Sequence, residues 1–598
     1  MSNKKLLFAL LGCAVLAAGC KKIWEKNDLL VAESGNADPQ NEEIVKNIDE
    51  KASDYEFSAD GAMLIHLKSN SITTENCDTN VSVSGSDATL KAAGTYFVDG
   101  VLQDGHIKVD APEDALVKLV LNGVDITSSD NAPIYVKNCL KTVLIINDGT
   151  TNTLTDGVDN DKEGALFSKE NLAIAGGTAQ SGTLTVNAKS TDGIKSKDAL
   201  IIKSGKIKVN SIVDGIVGKD FVLVHGGDIT VKSYGDALKA TKEGSGFVTI
   251  EDGVFNLTCY STASSADTAK NDGIKAETDI TISGGTFTIV TKRNSVSKQG
   301  PGGFNPSGGG GFNPWGPGGF EGTSNKLACM HGITCGGNLT ISGGTFNINA
   351  YGKGVKADGN IVFGGENTSA TIVSERHGFS TDGDVTIQSG KLSITSNWEG
   401  IEATNINISG GETYIASEDD GINASNSDPS VNISDGFLFV RSSGDGIDSN
   451  GDIVVSGGIV VVSQTGGGNS PIDCGDRGYS FTVTGGTVLA LGSNDMFSES
   501  IPSSTSLPMV YSQNLNSGSC LAVDNIVAVA NPYAFGAAIF VSDKLVEGQK
   551  YNFIVGGSIN GNPYKEGSGF YYPPTSVSGG NKTEVTATMS GGNGGKRF

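Results

Sequence analysis

One short phrase holds most of the regularly spaced ionisable residues. It reads Asp192-Gly193-Ile194-Lys195, Asp214-Gly215-Ile216, Asp236-Ala237-Leu238-Lys239 and Asp272-Gly273-Ile274-Lys275. Later copies pass through His331, Lys353-Gly354-Val355-Lys356, His377, Glu399-Gly400-Ile401-Glu402, Asp420-Gly421-Ile422 and Asp445-Gly446-Ile447-Asp448, and Asp473 follows. If the copies stack, the first position and the position three later form two outward columns with neighbours about 4.8 Å apart. Like charges that close repel unless something neutralises them. In the N-terminal half, Lys195, Lys239, Lys275 and Lys356 accompany Asp192, Asp214, Asp236 and Asp272. This is either charge compensation or a row of ammonium groups that meets the carboxylates of an acidic sugar. In the C-terminal half, Glu399, Glu402, Asp419, Asp420, Asp445, Asp448 and Asp473 have almost no basic partner. They form either a solvated acidic face or a Ca²⁺ site, because Ca²⁺ accepts carboxylate oxygens in irregular geometry.

No sequence-local catalytic motif accompanies the strip. The five His are scattered, and no nucleophile elbow or metalloprotease pattern occurs. Cys13 and Cys20 lie in the leader, and Cys77, Cys139, Cys259, Cys329, Cys335, Cys474 and Cys520 remain. An odd, scattered set is no disulfide framework, and most read as buried small hydrophobes. Cys329 and Cys335 could pair, or with His331 hold a metal.

The elements that must position the strip follow from its period. The phrase recurs every 21 to 25 residues, with two gaps lengthened to 36 and 59. Between copies stand alternating runs split by a Gly turn, as in Ile280-Thr281-Ile282-Ser283-Gly284-Gly285-Thr286-Phe287-Thr288-Ile289. Each repeat therefore holds three short strands. About 22 residues per three-strand turn predicts an all-β, single-stranded parallel β-helix, in which stacked coils share one core. Ile194, Ile274, Val355, Ile401, Ile422 and Ile447 should share an inward column. Asp279, Asn338, Asn360, Asp384, Asn405 and Asp452 should form a polar ladder at a bend. We place roughly thirteen coils in residues 131–499. The off-period stretches 56–130 and 500–598 read as β caps, since solenoid ends need covering.

Composition agrees. The chain has 598 residues, 84 of them Gly, and 66 Asp+Glu against 43 Lys+Arg, for a net charge of −23. So much Gly opposes a helical protein, and so acidic a surface opposes nucleic-acid binding. The insertion at 292–328 is rich in Gly, Pro and Phe. It reads as a flexible loop or as an aromatic arm whose Phe304, Phe312 and Trp315 stack on sugar rings.

Lys4, Lys5 and the apolar run 6–18 precede Leu16-Ala17-Ala18-Gly19-Cys20. That pattern resembles a bacterial lipoprotein signal over residues 1–19, with Cys20 lipidated. The expectation is an exported chain, anchored in the cell envelope by lipid, with residues 20–55 as a tether.

The order of Val120-Leu121-Asn122-Gly123-Val124, Asn152-Thr153-Leu154-Thr155-Asp156, Ala165-Leu166-Phe167-Ser168-Lys169 and the strip from Asp192 resembles the exported carbohydrate-binding domain-containing proteins. The likeness covers roughly residues 56–570. It implies a right-handed parallel β-helix related in shape to polysaccharide lyases, with bound Ca²⁺ and affinity for cellulose and acidic plant sugars. His331, Lys353 and His377 depart from the family's Asp. The expected function is polysaccharide binding on one face of the helix. A Ca²⁺-dependent polysaccharide lyase and a structural adhesin are the alternatives. Acids flank the strip's lysines and raise their pKa, which opposes a Lys general base.

Overall fold

The computed structural model describes residues 50–261, 271–293, 330–475 and 478–589. The leader with Cys20, most of the tether, Cys329, Phe304, Phe312 and Trp315 lie outside the described residues.

The alternating runs form strands, and the strands stack as a parallel β-helix of about fifteen turns. One coil runs Ala199–Ile202, Lys206–Ser211, Ile216–Gly218, and the next Phe221–Val224, Asp228–Ser233, Leu238–Ala240. Leu200 pairs with Val222, Val209 with Val231 and Ile216 with Leu238. All three faces thus advance in one register. The Asp-Gly-Ile strands make the third face, a sixteen-stranded sheet. The first and second faces join in a thirty-one-stranded sheet.

The turns outnumber the expected thirteen because winding starts within the stretch that reads as a cap. Gly94–Leu102 already pairs in parallel with Leu116–Ser128, and Asp87–Leu90 with His106–Asp110. Leu116–Ser128 is one 13-residue strand that serves two positions of its coil, which hides the period. The N-terminal covering is left to two antiparallel pairings, Met63–Ser69 with Ser71–Glu75 and Val81–Ser84 with Asp87–Leu90. At the other end, Ala537–Ser542 runs antiparallel to Thr487–Gly492 and Met509–Ser512. A five-stranded antiparallel sheet is built from strands before and after it in the chain. Antiparallel strands block the open edge to further parallel pairing.

The inward columns carry the core. Ile194, Ile274, Val355, Ile401, Ile422 and Ile447 are all fully buried. Phe255, Phe287 and Phe346 stack face to face, with successive centroids 4.6 Å apart. Gly in the repeated phrase is a packing requirement. A Cβ on Gly273 would lie 2.3 Å from Ile289 Cγ2 and 2.5 Å from the carbonyl of Gly332. The expected ladder is present too. Oδ1 of Asp279 accepts the backbone N–H of Asn338 at 2.7 Å, Asn338 accepts that of Asn360 at 2.9 Å, and Asn360 that of Asp384 at 2.9 Å.

The end of the segment that reads as a tether is tied to the helix. Lys118 donates to the carbonyls of Ser53 and Glu56 at 2.6 and 2.5 Å. Lys141 and Asp54 form a buried ion pair at 2.5 Å, and His225 Nε2 lies 3.0 Å from Glu50.

Candidate functional site: the third-face strip

The first column of the strip is less exposed than the sequence implies. Asp192, Asp236 and Asp272 are 5%, 3% and 3% exposed. Each Asp bends back and clamps the next coil. Asp192 accepts the backbone N–H of Asp214 at 3.1 Å, Asp214 that of Asp236 at 2.8 Å, and Asp236 that of Asp272 at 2.7 Å. Asp272 accepts from His331 at 2.8 Å. His331 does the same work with Nδ1, which takes the Lys353 N–H at 3.1 Å. The pattern resumes where Asp420 accepts from Asp445 at 2.6 Å and Asp445 from Ser470 at 2.5 Å. The recurring acid is therefore first a turn clamp.

The lysines of the N-terminal half sit on these acids. Lys195 is 2.9 Å from Asp192 and 3.1 Å from Glu163. Lys239 pairs with Asp214 and, at 3.2 Å, with Asp236. Lys275 is 3.4 Å from Asp272, and Lys356 pairs with Asp358. Burial would lower the Lys195, Lys239 and Lys275 ammonium groups, but the adjacent carboxylates outweigh it and raise them. Burial, with a neighbouring acid, raises Asp192 and Asp236 despite those lysines. Charge compensation accounts for these lysines, and they are poorly placed as free anchors for a sugar carboxylate. Lys275 and Lys356 do flank Thr334 in register and line a groove of about 290 Å³ with His331.

Five of the seven acids of the C-terminal half fall into two groups. Glu399 and Glu402 have basic partners, contrary to the sequence expectation. His377 Nε2 lies 3.4 Å from Glu399 and 3.2 Å from Glu402. Ser380 donates to Glu402 at 2.8 Å, and Lys353 Nζ reaches Ser380 at 2.5 Å and Glu402 at 3.5 Å. Burial would raise the Glu402 carboxyl, but His377 and Lys353 outweigh it and hold it low. Burial lowers Lys353, with Glu402 opposing. A column-by-column reading misses this network, because Lys353 crosses from the first column to the second and spans two coils. Beside it Trp398 is 39% exposed, with the Arg376 guanidinium 5.2 Å from its ring centre.

The second group is Asp420, Asp445 and Asp448. One carboxylate oxygen from each lies within 4.8 Å of the others. Asp473 stands beside Asp448 in register. Burial, then repulsion from Asp445 and Asp419, pushes Asp420 up to about 8. Burial, then repulsion from Asp445 and Asp473, pushes Asp448 up to about 7. Burial and Asp473 push Asp445 up to about 6, against the N–H of Ser470. Asp419 is raised by burial and by Glu399. Half-buried oxygens crowded this closely fit a hard divalent cation, whose charge would reverse each of these shifts.

The cysteines behave as expected for small hydrophobes. Cys77, Cys139, Cys259, Cys335 and Cys520 are buried with free thiols, and Cys474 is partly buried. Burial pushes the Cys335 thiol up to about 12, and Sγ faces the Gly337 carbonyl at 3.4 Å.

A model of the carbohydrate-binding domain-containing proteins matches residues 84–375 and 369–507, most of the winding and all of the strip. The chain belongs to that family. A family relative from Acetivibrio thermocellus is 34% identical over 148 residues, which are 23% of this chain and 50% of the relative. The chain thus spans half the length of that relative. A solved structure, the polysaccharide lyase-like protein from C. thermocellum in a gadolinium derivative, aligns at 25% identity and a TM-score of 0.36. That alignment covers 47% of this chain and 99% of the other.

Proposed function

We propose that this family member binds an acidic polysaccharide along its third face, with Ca²⁺ held by Asp420, Asp445 and Asp448 as the bridge to the sugar carboxylates. The observation that carries the reading is the crowding of those three acids, with carboxyls raised to about 8, 6 and 7. An anionic polymer meets repulsion over most of a chain of net charge −23, so a bound cation supplies the local attraction. Asp473 and Asp419 complete the acidic end of the strip. Export and lipid anchoring through Cys20, in the outer membrane or at the cell surface, belong to the same proposal.

The test is retention of the full chain on immobilised polygalacturonate and cellulose, in Ca²⁺ and again in chelator. Retention on polygalacturonate that chelator abolishes or strongly reduces is expected. Equal retention under both conditions removes the cation, and no retention on either removes polysaccharide binding at this face.

One observation favours a second reading, a polysaccharide lyase. Lys353 is the strip lysine whose ammonium is lowered, by burial, and it lies three coils before Asp420. A lyase would generate unsaturated uronates from polygalacturonate, with rising ultraviolet absorbance, and Lys353→Gln would abolish the rise.

A further inference from the structure

The second face carries a feature outside the strip. Its outward row in neighbouring coils reads Ile212, Tyr234, Tyr260, and Lys292 pairs in register with Tyr260. The rings of Tyr234 and Tyr260 lie 5.6 Å apart at 36°. Tyr234 is 42% and Ile212 50% exposed. The Asn271 side chain is buried and donates to the carbonyls of both tyrosines, at 2.8 and 2.5 Å. That bridge ties the two backbones together where the neighbouring rings emerge.

Polar groups border the platform on one side. Two residues earlier along the strands, Asn187, Asn210 and Lys232 stand in register, and Asn210 donates to Asn187 at 3.0 Å. Together with Lys189 these residues line an open groove of about 500 Å³. Lys189 and Lys232 are exposed, and neither makes an ion pair among the described residues. They differ in this from Lys195, Lys239 and Lys275, which already sit on carboxylates.

From this juxtaposition we infer that the Tyr234–Tyr260 platform is a cation-independent subsite for a carboxylate-bearing sugar chain, an oligouronide. The tyrosine faces take the apolar C–H side of a pyranose ring. Lys189 and Lys232 take carboxylates, and Asn187 and Asn210 take hydroxyls. Exposed rings beside a few convergent polar groups are the usual make-up of a ligand site. Free ammonium groups on an acidic chain select the charged sugar over a neutral one. The inference rests on the reading that this protein binds polysaccharide, and it adds a second contact area on a different face that needs no Ca²⁺.

Titration of tetragalacturonate and of cellotetraose into the full chain in chelator tests it, with melting temperature as the control on folding. The wild type should bind tetragalacturonate and bind cellotetraose at least tenfold more weakly. Tyr234→Ala with Tyr260→Ala should weaken tetragalacturonate binding about tenfold, as loss of stacked rings implies. The paired Phe substitutions should keep it. Lys189→Gln with Lys232→Gln should remove the preference for the charged sugar, and added salt should weaken wild-type binding. Absence of binding in chelator overturns the subsite while leaving the Ca²⁺-dependent site standing. Equal binding of both sugars overturns the oligouronide assignment, and so does a well-folded Tyr→Ala pair that binds like the wild type.

Discussion

Oδ1 of Asp236 accepts the backbone N–H of Asp272, 36 residues later, at 2.7 Å. The bond runs from one coil to the next across the gap of 36 residues. The recurring acid of the repeat thus closes a turn before it meets any ligand.

Asp236→Ala should therefore destabilise the protein by about 1–3 kcal/mol, the cost of a buried unsatisfied N–H. Asp236→Asn should lose less, because the amide oxygen still accepts and the crowding with Asp272 is relieved. Urea unfolding of both variants checks this. An Ala variant as stable as the wild type would contradict the clamp.

The acid cluster gives a pH prediction. Asp420, Asp445 and Asp448 have folded values of about 8, 6 and 7, each above the usual carboxylate value. A raised folded value favours the protonated fold. Without a cation, stability contributed by these groups is fully present near pH 4 and is lost as pH rises toward 8. The loss is on the order of several kcal/mol. Thermal melts across that range in chelator should fall, and Ca²⁺ should flatten the curve. Identical melts with and without Ca²⁺ at pH 8 would remove the cation from the account.

Phe287 lies between Phe255 and Phe346, 4.6 Å from each. Phe287→Ala should cost about 3–5 kcal/mol, and Phe287→Leu less. Denaturant melts distinguish the two. A loss below about 1 kcal/mol for Ala would mean that the stack collapses to fill the cavity.

The segment from Glu50 to Phe57 should respond to pH. The Glu50 hydrogen bond raises His225, burial opposes, and Glu251 adds to the rise. Docking stability from this pair is fully present between about pH 4.5 and 6.5, the ordinary Glu and His values, and on the alkaline side is lost as pH climbs through the raised His225 value. Limited proteolysis of the segment should therefore accelerate toward alkaline pH. Glu50→Gln should accelerate it at neutral pH and flatten the dependence.

The fold was legible in the sequence because period and register are one-dimensional. Ile194 and Ile274 fall in one column by counting alone, and the Asp279–Asn338 ladder needs nothing more. The early coils were hidden where Leu116–Ser128 merges two strands and the period stretches. The site was legible only in part. Counting brought Asp445 and Asp448 together, but it also left Glu402 without a base. The reach of Lys353 across two coils is a property of a long side chain, which a column does not record. The Tyr234–Tyr260 pair is hidden because 26 residues separate the two, more than the 21 to 25 of the regular repeat.

The most direct test of the central claim is a calorimetric titration of polygalacturonate into the full chain, with Ca²⁺ present, for the wild type and for Asp445→Asn with Asp448→Asn. The account predicts measurable binding by the wild type and at least a tenfold loss in the double variant, with the fold intact. Equal affinity in the two proteins would contradict it.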